Sequence, residues 1–177
     1  MSDVAQVDRK DAEWRVYKPK KTKDGAASKL ELKVINTPTT KDGKTYYRRN
    51  AEVFLVSTKQ TGEDDNGNAS FGWSDSSLTV TAKLGETDLG EILALLNWKK
   101  KVAGAETGKY KGIFHKNDKG STSILLERSD SGYYSLRIAK KVGNDGPSVV
   151  SHTISFGEAE VLKIVIEAAI RAKYNWH

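Results

Sequence analysis

Three histidines, at positions 115, 152 and 177, and no cysteine are all that this 177-residue chain offers for soft-metal ligation or thiol chemistry. A zinc site draws on Cys, His and carboxylates, so a metal cluster here would have to rest on Asp and Glu alone. No H-E-x-x-H, G-x-S-x-G or P-loop pattern occurs. His152 alternates with Val150, Ile154 and Phe156, which puts it on the apolar side of a strand as a hydrogen-bonded structural histidine. His177 reads as a tail residue. The chain is therefore expected to be no enzyme and to carry no cofactor.

Binding chemistry is better represented. Aromatic and cationic residues adjoin within strand-like runs: Arg15, Tyr17 and Lys18, with Lys20 and Lys21 just beyond; Tyr46, Tyr47, Arg48 and Arg49; Tyr110, Lys111, Phe114 and His115; Tyr133, Arg137 and Lys140. If Trp14 and Val16 face a core, Arg15 and Tyr17 face out. The same alternation buries Tyr134, Leu136 and Ile138 and exposes Tyr133, Ser135 and Arg137. Exposed rings beside cations suit a single strand of nucleic acid, whose bases stack for about 1–3 kcal/mol each while Lys and Arg hold phosphates. Trp73, after the Gly-rich run NASFGWSD, either stacks on a base or staples its hairpin to the helices. Trp98 and Trp176 read as packing residues.

The elements that position these residues come in two copies. LGETDLGEILALL at 84–96 and FGEAEVLKIVIEA at 156–168 each follow a strand-like run, so a strands-then-helix unit is duplicated. The first unit reads as four strands: EWRVYK, SKLELKV, YYRRNAEVFLVST and SLTVTAKL, with NTPTTKDGK as a turn. Its helix starts at Gly85 and carries the stripe Leu89, Ile92, Leu93 and Leu96. After a VAGAETG linker the second unit repeats the plan. Its helix carries Val161, Ile164, Val165, Ala168 and Ala172. A second apolar row, Leu162, Ile166 and Ile170, is expected to meet another helix or another subunit. The fold class is α+β, with each helix covering one face of its own antiparallel sheet.

Composition agrees with a globular domain: hydrophobic residues make up 37% and charged residues 29%, and no apolar run nears the roughly 20 residues of a membrane span. Net charge is +6 and is uneven, with nine Lys/Arg against four Asp/Glu over residues 9–33. A basic surface attracts polyanions. Without a signal or transit pattern, the expected location is cytoplasmic or nucleoid-associated, in a viral or prokaryotic setting.

The chain from about residue 13 to 177 resembles the Whirly single-stranded DNA-binding proteins and the trypanosome guide-RNA-binding proteins of the same fold. The resemblance is carried by VYK at 16–18, GAASKLELKV at 25–34, WSDSSLTVTAKLGETDLGEIL at 73–93 and the closing NWH at 175–177. It implies one domain after a tail of residues 1–12, made of two ββββα repeats (13–101 and 109–177). Two four-stranded sheets would pack near-perpendicular, braced by the helices. It also implies a homotetramer assembled through the helices, here through Leu162, Ile166 and Ile170. Single-stranded DNA would be bound without sequence preference in replication, recombination, repair or transcription. The expected binding residues are Arg15, Tyr17, Lys18, Lys20, Lys21, Tyr47, Arg48, Arg49, Trp73, Tyr110, Lys111, Phe114, Tyr133, Arg137 and Lys140. DNA is favoured over RNA, although stacking and phosphate contacts ignore the sugar. An RNA-annealing protein, or a structural protein-interaction module, are the alternatives.

Overall fold

The computed structural model describes residues 13–118, 120–143 and 146–174, without the side chains of 34–39 and 46–50. The expected tail 1–12, Trp176 and His177 lie outside the described residues. Among the described residues nine strands and two helices run in the order β1 (Glu13–Lys18), β2 (Ala26–Lys41), β3 (Lys44–Glu63), β4 (Ala69–Phe71), β5 (Thr79–Leu84), α1 (Glu86–Leu96), β6 (Ile113–Asn117), β7 (Gly120–Arg128), β8 (Tyr134–Val142), β9 (Ser148–Ile154) and α2 (Phe156–Lys173). All pairing is antiparallel. In the first sheet β1 pairs β2 and β2 pairs β3, while β4 and β5 share the far edge of β3. The second sheet is β6-β7-β8-β9. The two ββββα repeats are thus present, with β4 as an addition inside the first.

Period-2 patterning built these strands as read. In β1, Trp14 and Val16 are buried while Arg15 and Tyr17 are exposed. In β8, Tyr134, Leu136 and Ile138 are buried and Ser135 and Arg137 exposed. The turn expected over 36–44 is smaller than its composition implied. β2 stays paired to β3 as far as Lys41↔Lys44, leaving Asp42 and Gly43 as a two-residue loop, both at positive φ (53° and 71°). That is the primed-turn geometry for which Asp-Gly is suited. The linker is also more ordered than its glycines suggested. Val102 and Ala103 are buried, and Ala103 N–H donates to Leu126 O at 3.0 Å, filling the edge of β7 that the short β6 leaves open.

The expectation that each helix covers its own sheet is corrected, because the helices exchange partners. Helix α2 packs on β1 and β3 of the first sheet, and α1 packs on β7 of the second. Hydrogen bonds fix both crossings. Ser155 and Glu158 form a reciprocal capping box at the start of α2. Glu158 also accepts from Lys18 Nζ at 2.7 Å, and its backbone carbonyl accepts from Trp14 Nε1–H at 3.1 Å. Burial would raise the Glu158 carboxyl, but Lys18 and the Ser155 amide outweigh it and hold the group below the usual carboxylate range. At the start of α1, Asp88 accepts the Gly85 amide at 2.7 Å and lies 3.0 Å from His115 Nε2 on β6.

The expected face of α2 is corrected. Ala159, Leu162, Ile166 and Ala169 point into the core, with Ile166 at 0% exposure, and Ile170 packs beside them. Leu162 and Ile166 are therefore unavailable to another subunit, and Ile170 is only half-buried. The exposed row is Val161, Ile164 and Ala168, with Ile164 at 64% exposure. A slip of two residues explains the error. The repeated phrase matches at a spacing of 72, but the helix starts, Gly85 and Ser155, are 70 apart. Two residues turn a helix by about 200°, so the matched stripe lands on the opposite face.

Between the sheets lies a chain of polar groups. Ser28 Oγ sits 2.6 Å from both Ser57 Oγ and His152 Nε2, and His152 Nδ1 is 3.1 Å from the Thr153 carbonyl. Because a carbonyl only accepts, Nδ1 carries the proton and Nε2 accepts from Ser28. The structural histidine expected at 152 is what the fold contains. Burial pushes its pKa below the ordinary 6.5, so the folded protein keeps the ring neutral where the unfolded chain takes up a proton. Its contribution is complete above 6.5 and is lost as pH falls toward the depressed folded value.

Two measurements check these points. In urea denaturation of the single chain at high dilution, Ile166→Ala should cost about 2–5 kcal/mol and Ile164→Ala within about 0.5 kcal/mol; the reverse order would overturn the face assignment. The melting temperature should drop between about pH 7.5 and 5.5, and His152→Gln should flatten that slope. An equal slope in both proteins would show that the buried ring does not titrate with unfolding.

Candidate nucleic-acid interface

Cross-strand register assembles the outward residues of each sheet. On the first sheet Arg15 lies opposite Lys29, Glu13 opposite Glu31, and Phe54 opposite both Glu31 and Lys83. Beyond β4 the chain turns back over this face. Tyr17 meets Phe71 at a ring separation of 5.4 Å and Trp73 edge-on at 6.3 Å, and Lys29 Nζ sits 5.0 Å from the Trp73 ring. Trp73 therefore joins an aromatic cluster on the outer sheet face, away from the helix pair. The cations around it are already engaged. Arg15 pairs with Glu13, Lys29 with Glu31 and Glu13, Lys33 with Glu31, and Lys83 with Glu52.

The second sheet carries a different electrostatic surface. Tyr110 and Phe114 stack at 4.3 Å with their planes 24° apart. They form one wall of an open groove of about 610 Å³, which Lys109, Lys116, Ser121 and Lys141 also line. Tyr110 is 51% exposed, and Lys109 Nζ lies 5.4 Å from its ring centre, so a planar ligand that stacks there meets a cation at the ring. Register explains the grouping, because Lys116 lies opposite Ser121 and Ser121 opposite Lys141. Among the described residues Lys109, Lys116, Arg137, Lys140 and Lys141 make no ion pair. One carboxylate, Asp118, also lines the groove.

Several expected residues are placed elsewhere. Lys18 is half-buried and committed to Glu158, and Lys111 is paired with Glu127 at 2.7 Å; both hold structure before they hold phosphate. Lys20 pairs with Asp24 in the exposed turn, where Lys21 is also exposed. That turn is seated by Gly25, whose Cβ would come within 2.3 Å of Gln60 Oε1 and 2.5 Å of the Lys18 carbonyl oxygen. Tyr133 and Arg137 are exposed on the second sheet's outer side. Lys140 has the opposite parity and lines a smaller depression of about 260 Å³ with His115 and Thr122. The side chains of Tyr47, Arg48 and Arg49 lie outside the description. Trp98 is no core residue: it is 57% exposed, with Arg128 stacked over it at 4.1 Å and Phe156 edge-on at 6.4 Å.

Phe71, Lys29, Lys109, Lys116 and Lys141 were not anticipated. Alternation could have found three of them. Phe71 shares parity with Trp73, Lys116 with Phe114, and Lys141 with Arg137.

No family model matches the sequence, and no curated protein matches it. Solved structures do match the fold, and they define it as Whirly-type: two antiparallel sheets, each followed by a helix, with no closed barrel. WHY1 from Arabidopsis thaliana superposes with a TM-score of 0.67 at 15% identity, over 96% of this chain and 88% of that one. The plant transcriptional regulator PBF-2 gives 0.63 at 15%, over 94% and 84%. The trypanosome MRP1/MRP2 structure gives 0.54 at 13%, over 94% and 96%.

Proposed function

We propose that this protein binds single-stranded nucleic acid, DNA in preference to RNA, without reading sequence and without catalysing a reaction. The observation that carries the proposal is the stacked Tyr110–Phe114 pair beside lysines that have no carboxylate partner among the described residues. A base stacks on the exposed part of the Tyr110 ring, beside the Lys109 ammonium, while Lys109, Lys116, Lys141 and Arg137 neutralise phosphates. The aromatic group of Tyr17, Phe71 and Trp73 is a second stacking platform, with its own cations spent on glutamates. The shared fold with a plant transcriptional regulator supports a role on nucleic acid, in replication, recombination, repair or transcription.

The protein also assembles into a homo-oligomer, a tetramer, through the outer face of α2. Val161 and Ile164, with Phe156 and Trp98 near the helix start, leave large apolar side chains in water, which is the signature of a surface that another subunit covers.

Two sets of measurements test this. Binding to a labelled single strand should weaken with salt at a log–log slope of about −0.7 per phosphate neutralised, so four cations give about −3. Tyr110→Ala should lower affinity by about five- to a hundredfold with an unchanged melting temperature, and Lys111→Ala should have a smaller effect. A flat salt titration, or a Tyr110→Ala variant that binds the single strand as tightly as wild type, would sink the single-strand reading. Separately, Ile164→Glu should reduce the particle mass in light scattering while the monomer stays folded; an unchanged mass would refute assembly through α2.

A further inference from the structure

The β2–β3 hairpin is far longer than the sheet it belongs to. β1 pairs only with Ala26–Glu31 and β5 only with Val53–Thr58. From Val34↔Ala51 to Lys41↔Lys44, eight further residue pairs continue with no third strand on either side among the described residues. At about 3.4 Å per residue, this two-stranded arm reaches about 27 Å beyond the sheet. An arm with both edges open is a hazard for strand addition unless charge or proline guards it. This one has Pro38, and four cations (Lys41, Lys44, Arg48 and Arg49) against the single carboxylate of Asp42. Lys41 and Lys44 are exposed at its tip. The contrast with the adjoining sheet face is sharp, because the cations there are neutralised by Glu13, Glu31 and Glu52.

Pairing with the arm of a second copy would set four cations against four. A polyanion is the complementary occupant. An antiparallel ribbon has the dimensions to enter the major groove of B-form DNA, roughly 12 Å wide, whereas the major groove of A-form RNA is too narrow for side chains to read.

We propose that the β2–β3 arm is a duplex-DNA contact, so that the protein seats on junctions where a single strand leaves a duplex. The sheet faces hold the single strand and the arm grips the adjoining double helix. The junction depends on the single-strand reading of the sheet faces given above, while the arm's charge and reach stand independently of it. Two linked contacts gain affinity because the second forms at high effective concentration.

The test uses the full chain with four labelled substrates: a single strand, a blunt DNA duplex, that duplex carrying the same strand as a tail, and an RNA duplex carrying it. Wild type should bind the tailed DNA duplex about tenfold or more tighter than the single strand, with no such gain on the RNA duplex. Lys41→Ser/Lys44→Ser should lose that gain and keep its affinity for the single strand. Lys41→Glu/Lys44→Glu, confined to the exposed tip, should lose it too while melting at the wild-type temperature. Equal wild-type affinity for single strand and tailed duplex would overturn the junction, as would variants that weaken both substrates by the same factor. A wild type that ignores the single strand yet binds blunt duplex through these residues would overturn the sheet-face reading and the junction together, leaving the arm as a duplex contact.

Discussion

The fold depends on a crossing. Each helix follows one sheet in the chain and packs on the other, and a hydrogen-bonded carboxylate at the helix start secures each crossing. Glu158 of α2 is bound by Lys18, with Trp14 donating to its backbone, and Asp88 of α1 faces His115. A single hydrophobic cluster accordingly includes Trp14 and Val16 from the first repeat together with Leu162 and Ile166 from the second. Neither repeat could bury its apolar face alone, so the two ββββα units are one cooperative body. The polar chain from His152 through Ser28 to Ser57 lies where the sheets meet. Being satisfied by direct partners, it sets the register between the layers at little cost.

The duplication leaves the two sheets with similar shapes and different surfaces. Opposite strands decide this, since Lys29 finds Glu31 and Glu13 within reach while Lys116 and Lys141 face each other across Ser121. Around Trp73 the outer face of the first sheet has spent its charge on internal pairs and presents rings. The second presents rings and unneutralised lysines. One strand of nucleic acid that met both would be stacked by the first and held electrostatically by the second.

The strand alternation was legible in the sequence because a half-buried strand obeys a period of two whatever its neighbours do. Trp14 against Arg15, and Leu136 against Arg137, could be assigned without coordinates. The start of α1 at Gly85 was legible too, but α2 is capped at Ser155, two residues before the Gly157 that the duplicated phrase aligns with Gly85. The face of α2 was not, because both of its rows are apolar and the duplicated phrase aligned two residues out of step. Nor was the partition of cations, which depends on partners such as Lys18–Glu158 and Lys111–Glu127, 140 and 16 residues apart. The length of the β2–β3 arm was hidden by Pro38 and the Thr-rich run before Asp42-Gly43, which resemble loop chemistry while pairing as strand. Trp98 misled because a tryptophan at a helix end suggests burial, whereas it is exposed with Arg128 stacked on its ring.

The crossing also fixes an order of events during synthesis. Trp14 waits for a helix start 144 residues later in the chain, so the inner face of the first sheet is not fully covered until α2 leaves the ribosome. Contacts of such sequence separation slow folding and prolong the life of partly folded forms. The nascent chain is thus held uncommitted until α2 is made, and a truncated product lacking that helix is a substrate for chaperones and proteases.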